Sequence, residues 1–143
     1  MAKFKAVLGV KLLMALIMLF ALLSESSLGA ALRSRFATLN YSQVVKKWGS
    51  MPFDPVKFKK SEINERAPLA ASILKEKKSY FGKTVRELRE IFGTPDGFYH
   101  LDWNPAYLIH EAKDENDATW QLVFLIDKDR KVSDIIVHKN CCY

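Results

Sequence analysis

Hydrophobic residues change their spacing twice along this chain. From Leu12 to Leu23 every position is apolar. From about residue 41 to residue 92 apolar positions recur at helical intervals, and beyond residue 97 they alternate with a period of two. The middle stretch predicts a series of short helices. Val44, Val45 and Trp48 give the first its apolar side, with Ser42 as the expected cap and Gly49 as the stop. Asp54 and Pro55 mark a second start, and Phe53 and Phe58 fall at the two positions of a hydrophobic staple. Residues 61–78 continue as helix, bent or restarted at Pro68, with Leu69, Ala70, Ile73 and Leu74 on one face.

The last helix is marked most heavily. Thr84 and Glu87 form a capping box, in which each side chain satisfies an otherwise orphaned amide of the first turn. Val85, Leu88, Ile91 and Phe92 make the apolar stripe. Gly93 suits the left-handed stop, Pro95 forbids continuation, and Asp96-Gly97 reverses the chain. Strands are then expected at 98–103 and 106–112 around an Asn104-Pro105 turn, at 119–127, and at 131–139. Trp120, Leu122, Phe124 and Ile126 share one face of the third. The expected fold class is α+β. It is a two-layer sandwich with helices on a three- or four-stranded antiparallel meander, ααβββ-like, preceded by an N-terminal hydrophobic helix.

The first thirty residues read as an address. Lys3, Lys5 and Lys11 precede the apolar run, and small residues (Ser26, Ser27, Gly29, Ala30, Ala31) follow it. Twelve helical residues cover about 18 Å, less than the roughly 30 Å hydrocarbon core. A cleaved secretory signal peptide fits this layout. The alternative is an uncleaved anchor running back to Ala6, with Lys11 snorkelling to the basic side. Either reading exports the remainder of the chain. Residues 1–30 are thus a signal peptide or membrane anchor, 31–53 a linker with a short helix, and 54–143 the α+β domain.

The net charge of +6 falls to +4 once Lys3, Lys5, Lys11 and Glu25 are set aside (6 − 3 + 1). The remaining cations are scattered among acids without a nucleic-acid motif, so no nucleic-acid partner is expected. Export changes the meaning of Cys141 and Cys142, because thiols outside the cytoplasm tend to oxidise. They are a possible disulfide, within one chain through a strained eight-membered ring or between two chains.

The stretch "FGKTVRELREIFGTPDG…AYLI…WQLVFLIDKDRKVSDIIV" resembles the SmpA/OmlA (BamE-like) family of small bacterial envelope proteins. Gly82, Thr84, Glu87, Leu88, Phe92, Gly93 and Pro95 match its capped-helix block, and Phe124, Asp127 and Val132 its later strands. The resemblance covers about residues 80–137. It implies a helix–helix–three-strand domain in the cell envelope that acts through protein–protein contact. Typical members carry a lipid-bearing cysteine, where "SLGAA" has alanine.

Candidate chemistry is sparse. His100, His110 and His138 fall on expected strands as partly exposed sheet histidines, and nothing in their spacing forces a metal site. Asp127 and Asp129 read as hairpin residues. No nucleophile elbow, phosphate loop or H-E-x-x-H occurs. No catalytic residue, cofactor or metal is expected. Tyr99, Trp103 and Tyr107 around the Asn104-Pro105 turn are the candidate protein-binding residues, since such aromatics anchor interfaces. Core packing or edge protection is their plainer role. The functional expectation is an exported non-enzymatic protein that binds another envelope protein through the exposed sheet face, its edge or this turn. It would touch the membrane through the N-terminal segment if that stays uncleaved. The alternatives are a membrane-anchored small protein or a His/Cys metal-binding or redox protein.

Overall fold

The computed structural model describes residues 37–140. The expected N-terminal hydrophobic helix, its cleavage region and the Cys141–Cys142 pair lie outside the described residues. No described helix is long and apolar enough to cross a membrane.

The helical region follows its local signals closely. β1 (Thr38–Leu39) leads into α1 (Tyr41–Trp48). Asn40, not Ser42, caps α1: its Oδ1 accepts from the Gln43 amide at 3.0 Å, and Gln43 Oε1 accepts from the Asn40 amide at 2.9 Å. Ser42 instead donates its hydroxyl to Asn40 Oδ1. Asp54 caps α2 (Pro55–Lys60) through the Val56 and Lys57 amides, and the Phe53 and Phe58 rings meet at 5.9 Å as the staple requires. The third helical stretch is restarted, as Pro68 demands. A 3₁₀ turn at Ile63–Glu65 precedes α3 (Ala67–Lys75), and Pro68 occupies its first turn. α4 (Val85–Phe92) carries the full Thr84–Glu87 capping box and ends on Gly93 at φ 89°.

The sheet is antiparallel and four-stranded, in the order β1-β4-β3-β2, with β2 at Ala106–His110, β3 at Trp120–Ile126 and β4 at Val132–Lys139. The expected strand at 98–103 is absent, and the fourth strand is β1 instead. Thr38 faces His138 and Leu39 faces Val137 across that pair. Residues 38–48, read from sequence as part of a linker with a short helix, supply an edge strand as well as that helix, which joins the core. α1 packs on α3, and Val44 is fully buried.

One face of the sheet meets the helices. Tyr107, Ile109, Leu122, Phe124, Ile135 and Val137 join Phe58, Leu69, Ile73, Leu88 and Phe92 in one core. Its centre is aromatic. The Phe92 ring lies 4.9 Å from Phe124, 5.4 Å from Tyr107 and 5.5 Å from Phe58. Tilted and edge-on pairs like these contribute roughly 0.5–1.5 kcal/mol each beyond area burial.

Candidate functional site

The second sheet face is the unexpected one. Cross-strand partners share a face. Ala106, Val123 and Ile136 therefore sit together, as do Leu108, Gln121 and His138. Ala106, Gln121, Val123 and His138 are nonetheless buried. Their cover is the irregular stretch from Gly97 to Asn104, which folds back over the sheet as a strap instead of adding a strand.

Gln121 clamps the strap. Its Oε1 accepts from the Phe98 amide at 3.2 Å, and its Nε2 donates to the Phe98 carbonyl at 2.7 Å. A buried amide needs such partners, and one backbone unit satisfies both of its ends. Gly97 permits the approach, since a Cβ there would lie 2.6 Å from Gln121 Oε1. The Gly97 amide donates to the Ala106 carbonyl at 2.9 Å. At the other end Asn104 Oδ1 accepts from the Ile126 amide at 3.0 Å. Between these ties the Leu101 amide donates to the Tyr99 carbonyl, and His100 adopts φ 47°. These local bonds are incompatible with a strand ladder, which explains the failed expectation at 98–103.

The strap turns large apolar groups outward. Phe98 is 50% exposed, Leu101 44% and Trp103 47%. The Arg130 guanidinium lies 5.9 Å over the Trp103 ring. A depression of about 290 Å³ lined by Trp103, Ile126, Asp127, Lys128 and Arg130 opens beside it. A second, of about 200 Å³, runs between the strap and α4 past Arg89, Phe98 and Leu101.

The three sequence candidates separate here. Trp103 is exposed on the strap. Tyr99 is partly buried, its ring 4.8 Å from His138. Tyr107 is 1% exposed within the core, with its hydroxyl donating to the Gly93 carbonyl at 3.2 Å. Burial pushes its phenol pKa well above the ordinary value. Tyr107 is therefore corrected from interface anchor to core residue, because β2 directs it at the helices. Phe98 and Leu101 were missed: a strand reading of 98–103 hid their common exposure.

The outer edge of β2 is closed to further pairing, and so is much of the β4 edge that the two-residue β1 leaves uncovered. On β2 the Leu108 amide donates to Asp96 Oδ1 at 2.8 Å and its carbonyl accepts from Arg66 Nη1 at 3.2 Å. Just beyond, Asn64 Oδ1 takes the Glu111 amide. On β4, β1 covers Val137–His138, and Gly82 and Lys83 bond to Val132. Between those stretches the Ile135 amide donates to Asp134 Oδ1, which also pairs Lys77 at 2.7 Å.

The histidines depart from the expectation of partly exposed sheet residues. His110 is buried at the end of β2, where its Nε2 meets Asp117 Oδ2 at 2.7 Å and its ring lies 5.4 Å from Trp48. That hydrogen bond, helped by the Ala118 amide, holds the Asp117 carboxyl down to about 2. His138 is buried under the strap, and His100 is exposed on it. Among the described residues no three His, Cys, Asp or Glu side chains converge on a metal position. No family model matches the chain, and neither a curated protein nor a solved structure does.

Proposed function

We propose that this chain is an exported, non-enzymatic protein of the bacterial cell envelope that binds another envelope protein through the strap. The observation that carries the reading is the outward trio Phe98, Leu101 and Trp103 on a loop tied down at both ends. Interface cores are enriched in aromatic anchors, and a loop already held in place loses little entropy on binding. The guarded β2 edge favours side-chain docking over strand addition there. The resemblance to SmpA/OmlA (BamE-like) proteins supports the same reading, and α3, α4, β2, β3 and β4 follow the helix–helix–three-strand order it implies.

Affinity capture from envelope extracts with the full chain tests this. A partner should be recovered whose affinity falls about tenfold or more in Trp103→Ala, as for a central interface anchor. Equal capture by wild type and a Leu101→Ala, Trp103→Ala double variant would overturn the proposal, as would recovery of nothing. The mass of the mature protein separates secretion from anchoring: loss of about thirty residues marks a cleaved signal peptide.

A further inference from the structure

We infer that the depression between Trp103 and the β3–β4 hairpin receives a carboxylate of the partner protein, carried by an acidic side chain next to an apolar one, with Arg130 as its anchor. The inference rests on the strap being the docking element, and it adds the chemistry of what docks there.

The hairpin fixes Arg130 in an unusual backbone state. Asp127 organises the turn. Its amide donates to the Lys131 carbonyl at 2.8 Å, and its carbonyl accepts from the Arg130 amide at 3.1 Å. Its Oδ1 accepts from the Asp129 and Lys131 amides at 2.9 and 3.0 Å. Hairpin loops of this length close on a left-handed residue, where glycine fits without steric cost. Arg130 stands there instead, at φ 60°. A backbone outlier of this kind points to function when its side chain is aimed at a surface feature. Here the guanidinium lies 5.9 Å over the Trp103 ring.

Trp103 is held from the strap side. Its neighbour Asn104 accepts through Oδ1 from the Ile126 amide, which ties the end of the strap to the base of the hairpin. A guanidinium stacked on an indole face keeps its fork of donors for a second partner, and the stack orients that fork in advance. Among the described residues no carboxylate forms an ion pair with Arg130 or Lys128. The acid of the lining, Asp127, already has one oxygen committed to two amides, and Asp129 does not line the depression.

Charge and shape select the ligand. The lining carries two cations, Lys128 and Arg130, and one anion, Asp127, a net charge of +1 (2 − 1). That balance suits a monovalent carboxylate better than a doubly charged phosphate, which would meet the Asp127 carboxylate with more repulsion. Arginine pairs carboxylates through two parallel hydrogen bonds, so it gives geometry as well as attraction. Trp103 and Ile126 supply an apolar wall beside the charges. About 290 Å³ is the size of a small-ligand site, fit for a pair of side chains and not for a folded element.

The test titrates the isotope-labelled full chain with N-acetyl-leucyl-glutamyl amide and, separately, with its neutral glutaminyl isostere. The Trp103 indole N–H and the Arg130 Nε–H resonances are followed. The glutamyl peptide should shift both saturably, and the isostere should bind at least about threefold more weakly, as for a partly exposed ion pair. Salt at about 1 M should remove the preference. Arg130→Gln should abolish it with circular dichroism unchanged, and Arg130→Lys should restore only part, because a point charge lacks the planar fork. Equal binding of the two peptides would overturn the carboxylate and keep the strap as an apolar docking element. A preference that survives Arg130→Gln, or no shift at either resonance, would overturn the assignment. In capture from envelope extracts, a partner lost by Trp103→Ala but held by Arg130→Gln at wild-type affinity would likewise retain the strap and refute the acidic ligand.

Discussion

Arg66 and Asp96, thirty residues apart, form an ion pair at 2.5 Å against the outer edge of β2. Each also takes one main-chain group of Leu108, the carboxylate its amide and the guanidinium its carbonyl. Two side chains thus occupy the hydrogen-bonding positions of a neighbouring strand. An unpaired outer strand is a template for association, and this pair removes it.

Asp96→Ala should lower stability by about 1–3 kcal/mol, because the Leu108 amide loses its acceptor and Arg66 its counter-ion. Asp96→Asn keeps an acceptor and should fall between. Urea unfolding reads the stability. Light scattering should show more self-association in Asp96→Ala than in wild type. Wild-type behaviour in both assays would mean that the pair does not guard the edge.

Acid should weaken the fold in two separate steps. The folded-state pKa of His138 lies below the ordinary 6.5, from burial first and His100 second. The unfolded chain therefore binds the proton more readily. The contribution of His138 is fully present above about 6.5 and is lost as pH falls through its lower folded value. Asp117, held at about 2 against 3.8 by His110, contributes above about 3.8 and loses its share as pH falls toward 2. Melting temperature against pH should fall in both windows. His138→Gln should flatten the upper one alone; a slope unchanged by that variant would refute the assignment.

Tyr107 and Trp103 should respond to truncation in opposite ways. Tyr107→Ala opens a cavity among Phe58, Phe92 and Phe124, and should cost about 3–5 kcal/mol. Trp103→Ala removes a half-exposed ring, and its cost should stay at about 0.5 kcal/mol or less, as for an ordinary surface change. Denaturant midpoints compare the two directly. A large loss at Trp103 would make it a structural residue and weaken its candidacy as a docking group.

Gly97→Ala should loosen the strap, since the added methyl meets Gln121 Oε1. Overpacking of this kind costs about 1–3 kcal/mol. Chymotrypsin should then cut faster after Phe98, Leu101 or Trp103. Gln121→Ala should give the same accelerated cleavage by removing the clamp. Cleavage at the wild-type rate in both would show that neither contact holds the strap.

The helices were legible because their stop and start signals are local. Asp54, Pro55, Thr84, Glu87 and Gly93 act within a turn of their own positions, and each does what its chemistry predicts. The Asn40–Gln43 box was equally local, but Ser42 stood beside it as a competing cap. The strap was not legible. "FYHLDW" carries aromatic residues that favour strands, and only Gln121, some two dozen residues later, claims the Phe98 backbone. β1 was hidden for the reverse reason. Two residues have no period, and their strand exists because His138 and Val137 offer an open ladder. Long-range partners decided both elements, and with them the exposed trio and the burial of His138.

The Thr38–His138 register also sets where the chain enters and leaves this domain. Residues facing one another on antiparallel neighbours put the incoming and outgoing backbone at a single corner. Joining residues 37 and 140 by a short loop and opening new ends in the exposed 113–116 segment should thus yield a permuted protein with the same core.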